Sequence, residues 1–430
     1  MNVTLLTGGH DGRGAPLDVL VTGETIAATG AAAHAAAARS GPVRRVDLTG
    51  RTLLPAAAEP HAHLDKALLR GQVRNPDGTL DGALDAMRGL SMTAEDITGR
   101  ARRAARIALR RGFTAIRSHV DVGGRQGTAG IEALVRLKGE LAGLLDLQIV
   151  ALFAGPLAGL EGQPLRRRLR AALELGCDVV GGAPWHGHDP LRSIDELTAA
   201  AADSGSAIDL HLDETTDANV LTVARYARRV GELGLGGRAA ASHCVSLGQQ
   251  DPRETTAIAG LLAAAGVAVI VLPQTNLGLQ GRGLATRVPR GLPPLRLLAD
   301  AGVLLAAGGD NWQDPFNAVG RIDPMETASL LTAAGHLPPD RSYALVSEHA
   351  RAVMGLPPAL LRSGDAADFT AIRAADLAEG VAEATEDRMV WRRGRLVAST
   401  SVHWVVAPDG EPGSGVPSAV LPPSYTRFTH

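Results

Sequence analysis

Along this chain, short apolar runs alternate with longer segments in which apolar residues recur every three to four positions. The runs fall at 52–63, 113–122, 146–155, 178–185, 207–215, 238–247, 267–276 and 303–311, and each is of a length that suits a strand. Between them lie amphipathic patterns such as "AEDITGRARRAARIALRRG", "TAGIEALVRLKGELAGLL" and "LRRRLRAALELG", which predict helices; Gly176 closes the last as a C-cap. Eight strand–helix units predict an α/β fold, a closed parallel (β/α)8 barrel of the TIM type, rather than an open sheet. In that architecture the C-terminal ends of the strands carry the chemistry.

The flanks follow a different pattern. Residues 1–55 contain glycine-punctuated β fragments, "VTLLTG", "DVLVTGETIAATG" and "RRVDLTG", and residues 360–405 contain two more, "GDAADFTAIRA" and "DRMVWRRGRLVAST". The two termini are therefore expected to build one composite β-sandwich beside a catalytic barrel at 56–359, with a Pro/Gly-rich tail at 406–430. The alanine-rich run "TGAAAHAAAARSG" is expected to be helix or loop without a functional role. No repeat beyond the strand–helix unit is visible.

Composition narrows the function classes. The chain has 430 residues, 45% of them hydrophobic, and a formal net charge of -2 spread along its length, so it has no field to gather nucleic acid or anionic lipid. A small-molecule partner is expected. Two cysteines, Cys177 and Cys244, stand far apart in apolar settings and read as buried hydrophobes rather than a disulfide. The N-terminus has no signal-peptide pattern and no window reaches a spanning length, which points to the cytoplasm. Lys66 and Lys138 are the only lysines among 43 basic residues, so any lysine chemistry has few candidates.

The strand ends carry the polar residues that matter. In "EPHAHLDK" the first apolar run ends on His61 and His63, which share one face of a strand because residues i and i+2 point the same way. The second run ends with His119 and Asp121, the fifth with His211, Asp213 and Glu214, the sixth with His243, and the eighth with Asp310 and Asn311. A lone histidine is more often structural than a ligand, but a barrel brings all of these ends to one rim. Neutral imidazoles with a carboxylate suit a divalent transition metal, whereas calcium or magnesium would call for mostly oxygen ligands. Three histidines and an aspartate would hold such an ion and leave a position for water.

The motifs "PHAHLDK", "FTAIRSHVDV", "LDLQIVAL", "IDLHLDET", "ASHCVSL", "NLGLQGR" and "GGDNWQDPFNAVG" occur in the order and spacing of the amidohydrolase superfamily, and residues 15–400 resemble its cytosine deaminase branch. That resemblance implies a metal-dependent (β/α)8 barrel with a β-sandwich made from both termini. It implies one divalent ion, Zn(II) or Fe(II), on His61, His63, His211 and Asp310. It gives catalytic roles to Glu214, which would pass a proton to a ring nitrogen, to His243, which would orient the attacking water, and to Asp310. A lysine that could bridge a second metal is missing, since neither Lys66 nor Lys138 ends a suitable strand. The implied reaction is hydrolytic removal of an amino group from a cytosine- or isoguanine-like heterocycle, with ammonia released. "HLDK" and "GDNWQDPF" also resemble amidohydrolases that take an alkylamine from an s-triazine ring, and hydrolysis of a cyclic amide belongs to the same alternative. A catalytically silent metal-binding barrel is the competing reading of another class.

Departures from the branch concern substrate. Its strand-three glutamine, which reads the pyrimidine edge, is replaced here by Ala154 or Gly155, and Asn311, followed by Trp312, stands where a second acidic residue is usual. Cytosine is therefore expected to be a poor substrate, because a reader of its edge is missing. Ala154, Trp185, His186, Gln280, Asn311 and Trp312 are the expected substrate contacts, with His188 in the same loop as His186, and Gln280 reads equally as a brace for its own loop. His119 reads equally as a support for the site or as a buried structural residue. Members of the family are often oligomers, so a homo-oligomer is expected.

Overall fold

In this computed structural model the described residues are 2–122, 127–153, 162–186 and 188–403, without the side chain of His186. Ala154 and the tail from 404 onward lie outside them. Eight parallel strands form the barrel: Ala57–Ala62, Phe113–Asp121, Asp146–Leu152, Val179–Gly182, Ala207–Leu212, Ala239–His243, Val267–Val271 and Leu305–Ala307. Each pairs with the next in sequence. The ring closes where Ala62 bridges Asp310 and the Asp310 N–H donates to the His61 carbonyl at 2.9 Å.

Helices between the strands, among them Ala94–Arg110, Ala129–Glu140 and Gln163–Leu175, cover the outer wall. In the first of these, Ile97, Ala101, Ala104, Ala105 and Ala108 form the buried stripe, and the small alanines let the helix lie close to the strands. Gly176 ends the third helix at φ 112°, a left-handed conformation that favours glycine.

All eight predicted runs contain a barrel strand and extend past it, and in two of them the excess belongs to another strand or α-helix. The run 52–63 divides between two sheets, because Thr52–Pro55 pairs antiparallel with Phe369–Ile372 before Ala57–Ala62 enters the barrel. The run 267–276 stops being a strand at Val271. Pro273 has no N–H for the ladder, and its fixed φ suits the first turn of the helix Pro273–Leu279 that follows.

The second sheet joins both ends of the chain. Val3–His10, Pro16–Thr22, Thr25–Thr29, Val43–Asp47 and Thr52–Pro55 combine with Phe369–Ile372, Arg388–Arg392 and Arg395–Ser399 in one eight-stranded sheet. Strand alternation sorts its faces. Leu6, Val19, Val21, Phe369 and Trp391 share one core, with the last two rings stacked at 4.8 Å, while Leu5 and Leu20 turn to the other face against the helix Ala31–Ala38 formed by the alanine-rich run. Both cysteines are buried and free, and among the described residues no helix is long and apolar enough to cross a membrane.

A buried ion pair ties the sheet to the barrel. Arg388, on a strand of the terminal sheet, places Nη1 and Nη2 each 2.9 Å from an oxygen of Asp323. Asp323 also caps the helix Pro324–Gly335 through the Met325 N–H and accepts from Arg111 at 2.8 Å. Both Arg388 and Asp323 have fully buried side chains, so removing one partner strands the other charge away from water. Asp323→Ala is expected to lower unfolding free energy by about 3–5 kcal/mol. Denaturant melts with an unchanged midpoint would show that the guanidinium finds other partners.

Candidate active site

Four side chains converge where strands one, five and eight end. His61 Nε2 lies 3.1 Å from His211 Nε2, which lies 3.3 Å from His63 Nε2. Asp310 Oδ1 is 3.1 Å from His63 Nε2 and 3.6 Å from His61 Nε2. Backbone geometry helps to aim this set. Asp310 takes φ 61°, His243 φ 73° and Asp213 φ 53°, so the chain leaves three barrel strands through the left-handed region. For residues other than glycine that conformation costs roughly 1–2 kcal/mol each, a strain that clusters at functional sites.

These atoms are spaced as ligands of one ion. Burial first, then the mutual field of the neighbouring cationic forms, holds His61 and His211 well below the ordinary histidine range; burial and Lys66 do the same for His63. All three are therefore neutral, and each can offer a lone pair. Both carboxylate oxygens of Asp310 are buried without a hydrogen-bond partner among the described residues. A metal roughly 2.0–2.2 Å from each atom in tetrahedral geometry would put the ligand atoms roughly 3.3–3.6 Å apart. The donor set therefore fits a divalent transition ion. A second possible grouping, His61, His119 and Asp209, suits a cation less well, because Arg117 already pairs with Asp209 at 3.1 Å.

Two proton-handling groups stand beside the cluster. Glu214 is buried, and burial together with the charge of Asp310 raises its carboxyl well above the usual range. That shift favours its protonated form. His243 is held below its ordinary value by burial, partly offset by Asp310 and Asn276. Its Nδ1–H donates to Asn276 Oδ1 at 3.1 Å and lies 3.4 Å from Glu214 Oε1, while its buried Nε2 has no hydrogen-bond partner among the described residues. With Nδ1 occupied, Nε2 is the nitrogen that carries the lone pair. A ring nitrogen of His243 also lies within 4.8 Å of ligand atoms on His61, His211 and Asp310.

The remaining expected residues have mixed placements. Trp185 is half-buried in the single turn Pro184–His186 after strand four, and His188 is exposed. Gln280 donates its side-chain amide to the Glu214 carbonyl at 3.1 Å, bracing the loop that carries the acid. Asn311 donates its amide to Asp314 at 2.9 Å. Trp312 is buried, with its ring 6.3 Å from that of Phe113. Asp213 accepts from the Thr222 and Val223 N–H groups at the start of the helix Val223–Glu232 and takes no part in the cluster. His119 stacks on His61 at 3.8 Å with both ring nitrogens unbonded.

Sequence reasoning missed Asn276, Ser242, Asp209, Glu59 and Lys66. Glu59 and Lys66 belong to "EPHAHLDK" itself, and Asn276 opens "NLGLQGR", so adjacency to a motif was the available signal. Lys66 is buried and donates to Asp121 Oδ1 at 2.9 Å, with His63 Nδ1 at 3.3 Å.

The closed parallel barrel and the His/Asp cluster on its rim define a (β/α)8-barrel hydrolase with a metal site. A profile of the amidohydrolase family matches residues 67–398, and the chain belongs to that family, whose relatives here act on C–N bonds other than peptide bonds. It is 33% identical over 361 residues to a pterin deaminase of Rhizobium rhizogenes (strain K84), covering 82% of each chain. It superposes on 5-methylcytosine deaminase from Klebsiella pneumoniae, liganded with 5-fluorocytosine, with a TM-score of 0.84 at 27% identity, covering 94% of this chain and 100% of the other. N-isopropylammelide isopropylaminohydrolase from Burkholderia multivorans gives 0.80 at 27% identity, covering 93% and 99%.

His211→Ala removes one of three nitrogen ligands and is expected to leave the purified protein with little bound metal, since affinity depends on the full set. Elemental analysis that found wild-type content in this variant would place the ion elsewhere. In the unaltered chain the same measurement is expected to give one ion per chain; two tightly bound ions would overturn the single-site arrangement.

Proposed function

We propose that this enzyme is a hydrolytic deaminase of an aminated N-heterocycle, working with one divalent ion, zinc or ferrous iron, on His61, His63, His211 and Asp310. The observation that carries the reading is the pairing, 3.4 Å apart and beside the ligand cluster, of Glu214, whose carboxyl burial and Asp310 push up, with His243, whose imidazole burial pushes down. Environments that push two titratable groups in opposite directions assign an acid and a base.

When bound, the ion would lower the pKa of a water from about 15.7 toward roughly 7 and so supply a nucleophile at neutral pH. His243, fixed by Asn276 with Nε2 bare, takes or holds a proton at the attacking oxygen, and Asp310 is the second group placed to share it. Glu214 delivers its proton to the ring nitrogen next to the attacked carbon. The amino group takes up the proton held by His243 or Asp310 and leaves as ammonia, while the hydroxyl proton returns to Glu214 and the carbon becomes a carbonyl. Gln280 keeps the Glu214 loop in register, which makes it a support rather than a reader of substrate. Trp185, in the turn after strand four, is assigned to the ring itself.

The ring most favoured is a pterin, because the relative at 33% identity is a pterin deaminase. The two structural relatives at 27% identity supply the alternatives, ammonia from a pyrimidine and an alkylamine from a triazine. Cytosine is expected to be poor, with kcat/KM below about 10⁵ M⁻¹s⁻¹, because Ala154 cannot pair with its edge.

Metal-loaded protein tested on pterin, cytosine, 5-methylcytosine, isoguanine and N-isopropylammelide is expected to release ammonia from at least one aminated ring. Full metal occupancy without release of ammonia or amine from any of them would favour a silent metal-binding barrel. On the best substrate, Glu214→Gln is expected to keep its metal and lose about 10²–10⁴-fold in kcat, because the amide keeps the shape but cannot cycle a proton. Undiminished turnover would put the proton transfer on another group.

A further inference from the structure

The rear nitrogens of the three imidazole ligands have unlike surroundings. His211 Nδ1 is buried without a hydrogen-bond partner among the described residues, and His63 Nδ1 faces the Lys66 ammonium, itself a donor, at 3.3 Å. His61 differs, because its Nδ1 lies 2.8 Å from Ser242 Oγ. Ser242 Oγ lies 2.7 Å from Asp209 Oδ1, whose other oxygen accepts from Arg117 Nη1 at 3.1 Å. Arg117 is held in turn by Gln148 Oε1 at 3.0 Å and the Val353 carbonyl at 3.1 Å. The line crosses the barrel interior from strand two through strands five and six to strand one, and each of Arg117, Asp209, Ser242 and His61 is at most 3% exposed.

The protons along this line can run in one direction only. Asp209 Oδ2 is held by the Arg117 guanidinium at 3.1 Å, the partner of a carboxylate. As a carboxylate it can only accept, so the Ser242 hydroxyl donates to it. The hydroxyl oxygen then presents a lone pair to His61 Nδ1, which must carry the hydrogen. His61 Nε2 is thereby bare and turned toward His211, His63 and Asp310. A buried ion pair in a barrel core is a weak source of stability, since desolvation offsets most of its attraction. Its presence here is better explained by what it orients.

We infer that Ser242, backed by Asp209 and Arg117, is a positioning residue that locks the tautomer and ring orientation of His61 and makes His61 the fixed corner of the metal site. This rests on the metal-site reading above. Partners of this kind raise ligand basicity and typically contribute 10–100-fold in metal affinity. His211 and His63, which have no such acceptor, are left to adjust around the ion.

The test is the affinity of the stripped full-length chain for Zn(II), measured by competition with a chelating indicator, together with thermal melts of the metal-free proteins. Ser242→Ala is expected to weaken zinc binding about 10–100-fold with a metal-free melt close to wild type, and Ser242→Thr, which keeps the hydroxyl, is expected to restore affinity to within a few-fold. Wild-type affinity in Ser242→Ala, or a loss in Ser242→Thr as large as in Ser242→Ala, would overturn the positioning role. Should Ser242→Ala fail to fold, Asp209→Asn decides: weakened zinc binding supports the relay and unchanged binding overturns it. Failure of the unaltered chain to bind zinc or ferrous iron would instead remove the metal-site reading itself.

Discussion

The hydrogen bond from the Asp310 N–H to the His61 carbonyl is the seam of the barrel, and the site depends on it. The same two residues supply ligand atoms, so the contact that closes the sheet also brings the first and last strands' donors together. Glu59 reinforces the seam from below, accepting from the His61 N–H at 3.0 Å and from the Gly309 N–H at 2.9 Å. Burial raises its carboxyl to about 8 against the pull of those two hydrogen bonds. Gly308 must be glycine at this point, because a Cβ there would sit 2.2 Å from Glu59 Oε1 and 3.1 Å from the His61 carbonyl oxygen. Ring closure, ligand placement and a buried acid therefore occupy one small volume at the junction of two strands.

Around this junction the interior is organised by charge. Lys66 keeps its proton despite burial, because Asp121 and Asp65 more than offset the desolvation. Those carboxyls do not all stay ionised with equal ease: burial pushes Asp65 up to about 6 and Asp314 up to about 7, with Lys66 pulling both the other way. The ligand histidines, in contrast, are kept neutral by burial, and that is the form in which imidazole coordinates. Charge is thus kept beside the site, while its centre is left as a set of lone pairs facing one point. Such an arrangement is unfavourable on its own and becomes favourable with a cation among them.

Proton direction is set by groups behind the ligands and the base. Asn276 Oδ1 fixes Nδ1–H on His243 and leaves Nε2 bare. The Ser242–Asp209 pair does the same for His61. Ser242 and Asp209 stand within strands six and five and Asn276 in the helix after strand seven, so the orienting groups lie next to the reacting ones.

The sequence alone determined the barrel, because eight apolar runs at regular spacing bury themselves best as parallel strands and Gly and Pro mark their ends. It also determined which residues crowd the rim: His61 and His63 share a face by strand period, and His211, Glu214, His243 and Asp310 end their own strands. Only the tertiary structure decided what each one meets. Trp312 and Asn311 follow Asp310 directly, yet the turn at Asp310 sends one into the core and ties the other to Asp314. Gln280 lies in a motif that leaves a substrate contact and a loop brace equally open, and its amide meets the Glu214 carbonyl. Asp209 and Ser242 are single polar residues inside apolar runs, indistinguishable in one dimension from ordinary strand residues. Their partners are 92 and 181 positions away in sequence, Arg117 for Asp209 and His61 for Ser242. Distances between side chains so far apart along the chain depend on strand order and register, which the closure of the ring establishes and which a linear pattern does not contain.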